Sequence, residues 1–273
     1  SSVRRGPCSA SIALWSWLPS STTMRPSVNA PWNAPHSVTL SAVYFALRAM
    51  TDPGIPPNHG CYLPVDVVCP RGSLLNPEPP RPVGAGNVET SQILAGVCLS
   101  AFGEATGDGP VAGSQGTMNN VLIGASGDRP FTFYETMGGG EGGTPWRPGM
   151  SGVQTHMTNT ANTPVESLEA EYPLRVRRLA LREAGGGPGT NPGGEGTVKE
   201  LEVLADGAVL TVLSDSRDHP AAGALGGGDG VVGVNTLVRD GVERRLPSKF
   251  TVPLGRGDVL VVKTPSGGGW GRP

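Results

Sequence analysis

The glycine-rich stretch from Phe131 to Thr163, FTFYETMGGGEGGTPWRPGMSGVQTHMTNTANT, constrains the fold of this chain more than any other segment. It opens as a short strand of aromatic and β-branched residues and then passes through two glycine runs, Gly138–Gly140 and Gly142–Gly143. Glycine lets the backbone take positive φ and approach a ligand closely. Carboxylates, an imidazole, amides and hydroxyls surround these glycines, and few apolar side chains are present to form a core. We therefore interpret the stretch as a site-forming loop, with a set of plain turns as the alternative.

Composition sets the general class of the protein. The 273 residues include 42 glycines and 27 prolines, about a quarter of the chain, which is the lower edge of the range that suggests disorder. Because apolar periodic segments are also present, we expect a folded, loop-rich protein of one large domain or two small ones. The net charge of −2 provides no basic surface for nucleic acid or a membrane, and no apolar run is long enough to span a bilayer.

Cysteine and histidine usage gives no metal motif. No C-x-x-C pair or neighbouring histidine completes a zinc site around the four cysteines, Cys8, Cys61, Cys69 and Cys98. This pattern is typical of a reducing compartment, so we expect a cytoplasmic protein. The four histidines are scattered singly, and a lone histidine is more often structural than catalytic. His156 is the exception, because it lies in the glycine-rich stretch.

Hydrophobic periodicity predicts an α+β fold, with a helix-containing lobe over residues 25–173 and a β-rich lobe over residues 174–273. Helices are predicted over Ser37–Met50 and Asn87–Phe102, and a third begins at Thr163 with a capping box and Pro164 at the first helical position. Short strands are predicted over residues 65–69, 131–134, 196–204, 208–213, 231–238, 250–252 and 259–263. Gly-rich residues 185–196 lack the G-x-x-x-x-G-K-[ST] pattern of a phosphate-binding loop.

Two polar positions and one polar cluster attract attention along the chain. Asn87 is a plausible N-cap for the second helix, and Glu89 suits the positive end of that helix. The segment Ser114–Asn120 holds three amide side chains, those of Gln115, Asn119 and Asn120. Buried amides need partners, so the cluster either binds a ligand or ties loops together.

Residues 1–24 differ from the remainder of the chain. They contain no acidic residue and no initiator methionine, and serine and threonine are abundant. Such a composition fits a transit peptide, the start of a fragment, or a sequence read in the wrong frame. We favour the last two interpretations.

From about Pro26 to Pro273 the chain resembles the C-terminal half of the hydantoinase B/5-oxoprolinase family. The motifs that carry the resemblance occur in the family's order: SVNAPWNAPHSVT, NHGCYLPVDVVCPRGSLLNP, GNVETSQ, SQGTMNN, FYETMGGGEGG, SGVQTHMTNTANTPVESLEAEYPLRV and TPSGGGWG. They cover some nine-tenths of the chain, which makes the resemblance more specific than any single motif. The match ends before Met24, which favours an atypical segment over residues 1–24.

The resemblance implies ATP-dependent hydrolytic opening of a small cyclic amide, such as a hydantoin or 5-oxoproline. Ketone carboxylases are relatives, so a carboxylase subunit is the first alternative, and a non-catalytic scaffold fragment is the second. ATP is expected on a hydantoinase A-like subunit or domain that resembles sugar kinases and actin. A divalent metal is expected in the N-terminal half of the family's B subunit, so no metal ligand is assigned in this chain, and none of these groups is expected to bind the chain alone.

The resemblance also suggests roles for individual residues. Glu135 and His156 are candidates for proton transfer or for orienting water. Backbone N–H groups of Gly138, Gly139 and Gly140 are candidates for binding an oxyanion. The substrate-binding candidates, which would hydrogen-bond a ring carbonyl or amide, are Asn87, Glu89, Gln115, Asn119, Asn120 and Asn159.

Overall fold

A computed structural model describes residues 10–11, 25–52, 54–127, 129–183 and 185–273. The predicted atypical segment 1–24 therefore lies outside the described residues, except for positions 10 and 11. The chain forms two compact units, Ser1–Phe102 and Gly103–Pro273. The predicted lobe boundary at residue 173 lies inside the second unit, because strands on both sides of it hydrogen-bond to one another.

The first unit is built from helices and one very short parallel strand pair. Its strands are β1 (Ala10–Ser11) and β2 (Val65–Asp66), and its helices are α1 (His36–Met50), α2 (His59–Tyr62), a π-helical turn (Gly86–Thr90) and α3 (Ser91–Thr106), whose last residues belong to the second unit. The predicted first helix is confirmed, one residue longer at its start. Its buried stripe has the i, i+3, i+4, i+7 spacing of a helix face and consists of Thr39, Ala42, Val43 and Ala46.

A buried asparagine organises the loop that precedes the π-helical turn. Asn33, which is fully buried, donates to the carbonyls of Val28 and Pro82 at 2.8 and 2.7 Å. Gly86 packs on its backbone, and a Cβ on Gly86 would lie 2.1 Å from the Asn33 carbonyl oxygen. This contact places Gly86 inside the turn, so Asn87 is not the N-cap that the sequence predicts; Ala85 holds that position.

The second unit contains two antiparallel sheets. Its elements in chain order are β3 (Asn120–Ala125), β4 (Phe131–Thr136), α4 (Val165–Glu171), β5 (Leu174–Leu181), β6 (Thr197–Val203), β7 (Ala208–Leu213), β8 (Val234–Arg239), β9 (Val242–Leu246), β10 (Lys249–Leu254) and β11 (Val259–Lys263). One sheet has the order β10-β7-β3-β4 and the other has the order β5-β6-β11-β8-β9. Helices and antiparallel sheets together confirm the predicted α+β class.

Both sheets contribute side chains to one hydrophobic core. Ile123 and Leu210 from the four-stranded sheet and Leu201 and Leu260 from the five-stranded sheet are each completely buried. Ile123 and Leu210 follow the two-residue alternation of a strand with one face turned inward, whereas β6 and β11, inner strands of their sheet, are buried at most positions. Strands β5 and β9, which the sequence analysis did not identify, are charged and exposed along much of their length because they form the two edges of their sheet.

The start of α4 differs from the prediction. Pro164 is its N-cap and makes no side-chain capping bond, so the predicted capping box at Thr163 is wrong. The reason is a competing partner: the Thr163 N–H donates to a carboxylate oxygen of Glu135 at 2.9 Å. No helix in the described part of the chain combines the length and the apolar character needed to cross a membrane.

Glycine-rich backbone segments pack directly against one another in the second unit. We call this arrangement the glycine layer; it comprises residues 138–143, 186–194, 223–230 and 265–271. Backbone hydrogen bonds join its segments. For example, the Gly140 N–H donates to the Pro265 carbonyl at 3.0 Å, and the Gly267 N–H donates to the Gly194 carbonyl at 2.9 Å. A Cβ on Gly140 would lie 2.0 Å from the carbonyl oxygen of Gly194, so only glycine allows this approach.

We expect Gly140→Ala to destabilise the second unit strongly. The added methyl group would overlap backbone atoms, which cannot move aside as a flexible side chain can, and overpacking of this kind costs about 1–3 kcal/mol or more. Thermal unfolding followed by circular dichroism measures the effect. Gly255→Ala is the matched control, because its Cβ would meet no atom closer than 4.0 Å; equal melting temperatures for the two variants would contradict the expectation.

Candidate active site

The glycine-rich stretch places Glu135 in the interior of the second unit. Glu135 lies on β4 two residues after Phe133, so both side chains occupy the same buried face of the strand. Its carboxylate forms a salt bridge with the ammonium group of Lys199, and about 2% of each side chain is exposed. The second carboxylate oxygen accepts the Thr163 N–H. Sequence reasoning identified Glu135 but not Lys199.

His156 lies in a loop whose two ends are hydrogen-bonded to β4 and to the glycine run that follows it. We call residues 153–163 the His156 loop. At its start, Val153 exchanges two backbone hydrogen bonds with Gly139, each of 2.9 Å, and at its end Thr163 donates to Glu135. His156 itself is partly exposed and has a φ of 55°, in the left-handed region that few non-glycine residues adopt. Asn159 of the same loop is exposed.

Two buried polar atoms precede His156. The Gln154 side chain donates to the Thr136 hydroxyl at 3.2 Å, but its carbonyl oxygen has no hydrogen-bond partner among the described residues. The hydroxyl of Thr155, a residue that is 6% exposed, likewise lacks a partner in the described part of the chain. Buried polar groups are normally paired, so these two atoms are suited to an ordered water or a small polar ligand. Sequence reasoning missed both residues.

The three predicted amide side chains have protein partners. The Asn119 amide nitrogen donates to Gln115 at 2.7 Å and to the Met137 carbonyl at 3.0 Å, and the Asn119 amide oxygen accepts from Arg217 at 2.8 Å. Arg217 continues the network to Asn235, 3.0 Å away.

Asn120 belongs to the same segment but uses different partners. It donates to the Leu213 carbonyl at 3.0 Å and accepts from the Tyr134 hydroxyl at 2.7 Å. The sequence left two roles open for the amide cluster, binding a ligand or tying loops together. These hydrogen bonds tie loops together.

The glycines of the run Gly138–Gly140 are buried and hydrogen-bonded within the protein. The N–H groups of Gly139 and Gly140 donate to Val153 and Pro265, so neither is available to an oxyanion in this structure. The Gly138 carbonyl accepts from the hydroxyls of Thr197 and Thr264, both at 2.9 Å.

Arg182 holds Thr264, one of these two threonines, in place. Its guanidinium donates to the Thr264 carbonyl at 2.7 Å and to the Val232 carbonyl at 2.9 Å. Burial lowers the pKa of Arg182 from its ordinary value, since the charged form loses hydration. The cation therefore acts as a structural clamp on the residue that holds Gly138.

Glu141 is also committed to the fold. Its carboxylate accepts two hydrogen bonds from Arg147, at 2.7 and 2.8 Å, and one from the Met150 N–H at 3.0 Å. The hydrogen bond to Glu141 raises the pKa of Arg147 above its ordinary value. This pair fixes the turn that carries the chain from the glycine run toward the His156 loop.

The remaining predicted residues, Asn87 and Glu89, belong to the π-helical turn of the first unit. Asn87 is exposed, whereas Glu89 is 1% exposed. A π-helical turn often marks a functional position, because it inserts an extra residue into the helical ladder.

The described residues offer no obvious metal site, since no three His, Cys, Asp or Glu side chains among them converge. A cleft of 730 Å³ lies at the start of β4 and is lined by residues that include Phe131, Tyr172 and Arg256. It does not include Glu135 or His156, so its position does not coincide with the candidate site.

Comparisons with known proteins agree on one family. The model of the hydantoinase B/oxoprolinase family matches residues 21–273. The chain is 43% identical over 251 residues to 5-oxoprolinase 1 of Arabidopsis thaliana, covering 92% of this chain and 19% of that protein. The chain thus spans about a fifth of the length of this relative.

Two solved structures have the same fold. The ATP-dependent caprolactamase from Pseudomonas jessenii matches with a TM-score of 0.74 at 23% identity, over 91% of this chain and 46% of the caprolactamase chain. A nucleotide-free acetone carboxylase matches with a TM-score of 0.71 at 16% identity, over 88% of this chain and 38% of the carboxylase chain. At these identities the likeness establishes the fold alone.

The amide network generates a prediction about stability. Asn119→Ala should lower the free energy of unfolding by at least about 2 kcal/mol, because it leaves buried groups of Gln115 and Arg217 with fewer partners. Asn159→Ala, at an exposed position, should change it by no more than about 0.5 kcal/mol. Urea unfolding monitored by fluorescence tests both, and a harmless Asn119→Ala would mean that the network does not hold the loops.

Proposed function

The chain belongs to the hydantoinase B/oxoprolinase family, and from this premise we propose that it forms part of an enzyme that opens a small cyclic amide by ATP-dependent hydrolysis. The substrate class is a hydantoin or 5-oxoproline. The observation that carries the proposal is the extensive identity with 5-oxoprolinase 1 along nearly the whole chain. We also propose that this chain holds only part of the catalytic apparatus.

ATP binding is assigned to a hydantoinase A-like subunit or domain. The chain contains no G-x-x-x-x-G-K-[ST] segment, and most glycines of the glycine layer pack closely against backbone atoms of neighbouring segments. No three His, Cys, Asp or Glu side chains converge among the described residues, so the proposal assigns the divalent metal to the N-terminal half of the family's B subunit. ATP supplies the activation of the amide oxygen, which an unactivated amide needs before water can attack it.

The described residues supply proton handling and positioning in this proposal. His156 is the direct proton carrier, because it is partly exposed and lies in a loop with a fixed start and end. Glu135 has the orienting role, since both of its oxygens already accept hydrogen bonds from Thr163 and Lys199. Gln154 and Thr155 hold a water molecule or a polar group of the substrate near His156.

The substrate-binding residues fall into two groups in this proposal. Asn159 remains a candidate for contact with the ring, and the substrate-binding roles of Asn87 and Glu89, in the first unit, stay predictions. Support of the loops is the role given to the members of the second group, Gln115, Asn119, Asn120, Gly138, Gly139 and Gly140. Their hydrogen bonds within the protein favour this division.

We also place the enzyme in the cytoplasm. Among the described residues, Cys61, Cys69 and Cys98 take part in no disulfide, and burial raises the pKa of the Cys98 thiol to about 12. Cysteines outside disulfides are typical of proteins that work in a reducing compartment.

A subunit of an ATP-dependent ketone carboxylase is the second candidate function, and the fold shared with acetone carboxylase favours it. A non-catalytic scaffold is the third. The carboxylase would form a carbon–carbon bond with bicarbonate-derived carbon, whereas the hydrolase consumes water. The two enzymes therefore differ in what they require besides ATP.

The direct role of His156 predicts a loss of turnover without a loss of stability. In the complete enzyme with its ATP-binding partner, His156→Asn should reduce kcat by about 10²–10⁴-fold, the range expected for removing a general acid or base. Steady-state assays of ring opening measure the effect. His219→Asn, at an exposed histidine of the same unit, is the matched control; turnover of His156→Asn within a few-fold of wild type would eliminate the proton-transfer role.

The hydrolase hypothesis and the carboxylase hypothesis predict opposite responses to bicarbonate. With 5-oxoproline or a hydantoin as substrate, ATP-dependent ring opening should proceed at the same rate in bicarbonate-free buffer as in buffer with added bicarbonate. Chromatography of the amino acid product measures the rate. An absolute requirement for bicarbonate, with a ketone as the accepted substrate, would favour the carboxylase, and inactivity of the complete enzyme on both classes would favour the scaffold.

A further inference from the structure

Lys199 is a buried lysine that pairs with Glu135 and has no role of its own in the proposed proton transfer. We propose that Lys199 is a positioning residue, which fixes the Glu135 carboxylate so that this carboxylate can fasten the end of the His156 loop. The proposal rests on the proposed function, because the loop matters for catalysis only if His156 does.

The geometry makes the ion pair a connection between the two sheets. Glu135 lies on β4, an edge strand of the four-stranded sheet, and Lys199 lies on β6 of the five-stranded sheet. Two residues before Lys199, the Thr197 hydroxyl donates to the Gly138 carbonyl at 2.9 Å. Strand β6 therefore holds the chain at two points, through an ion pair to Glu135 within β4 and through a neutral hydrogen bond to Gly138, two residues beyond the end of β4.

These two points correspond to the two ends of the His156 loop. The neutral contact fixes Gly138, and its neighbour Gly139 pairs with Val153 at the start of the loop. The ionic contact fixes Glu135, whose free oxygen accepts the Thr163 N–H at the end of the loop. Displacement of β6 from β4 would thus release both ends of the segment that carries His156.

Stability alone does not explain a charged pair at this position. Moving a carboxylate and an ammonium group out of water costs several kcal/mol per ion, and a pair of apolar side chains of similar volume is often as stable or more stable. A carboxylate, unlike an apolar side chain, can accept the Thr163 N–H while it is held by a cation. The pair is therefore suited to setting the position of the loop.

The test uses the complete enzyme with its ATP-binding partner, and compares Lys199→Met with the double variant Glu135→Leu/Lys199→Met. Lys199→Met leaves a buried carboxylate without its cation, so its melting temperature should fall and its kcat should fall at least about 100-fold, the cost of a misplacement near 1 Å. The double variant removes both charges. Its melting temperature should return to within a few degrees of wild type, while kcat stays low and KM changes less than about 3-fold.

Hydrogen exchange provides a readout that does not depend on activity. The Thr163 amide should exchange at least about 10-fold faster in both variants than in wild type, because its acceptor is displaced or removed. Lys263→Met, at an exposed lysine on β11, is the matched control and should change neither exchange nor kcat. If Lys199→Met fails to fold, the double variant by itself decides the question.

Two results would overturn the proposal. Recovery of kcat together with melting temperature in the double variant would give the pair a purely structural role. Unchanged Thr163 exchange in both variants would mean that the pair does not hold the loop. If wild-type enzyme opens no cyclic amide, the proposed function fails, but faster Thr163 exchange would still establish the mechanical connection.

Discussion

Direct contact between glycine backbones is the constraint on which the second unit depends. In most protein interiors, side chains separate neighbouring backbones, but in the glycine layer a Cβ on Gly194 or Gly267 would lie 1.9 Å from a carbonyl oxygen. Backbone N–H and carbonyl groups of these segments hydrogen-bond to one another without forming regular strands. The layer therefore provides a surface of fixed backbone, from which the turn at Glu141 and the start of the His156 loop extend.

Polar interactions around this layer hold its segments and their neighbours in position. The Gly138 carbonyl is held by two threonine hydroxyls, and Thr264 is in turn held by the buried guanidinium of Arg182. Arg217 likewise links Asn119 to Asn235. Because each of these groups is removed from water, its hydrogen bonds are costly to break and keep the loops in one arrangement.

This arrangement supports our proposal that the chain contributes part of a larger catalytic apparatus. Family membership extends over nearly all of the chain, and the relative reported above is several times longer. The described residues hold both ends of the His156 loop. They contain no convergent metal ligands. In our proposal, ATP and its binding site come from the partner subunit or domain, and this chain presents His156 and its neighbours to the activated amide.

The sequence by itself determined the elements whose signals are local. The sequence indicated the amphipathic pattern of α1, the short strand-like runs of β6, β7 and β11, and the glycine run after β4, because each depends on residues within a few positions of one another. The importance of Glu135 and His156 followed from their setting and from the family motifs, although their catalytic roles remain predictions. Only the tertiary structure decided which groups those residues meet.

The partners of the site residues could not be read locally, because they are distant in the chain. Lys199 lies 64 residues after Glu135, and Arg217 lies 98 residues after Asn119. The period of two places Lys199 on the same face of β6 as the buried Leu201 and Val203, but only the facing sheet shows that this lysine meets a carboxylate. For the same reason the sequence left the amide cluster open between binding and support, and the folded chain supplied the protein partners that satisfy it.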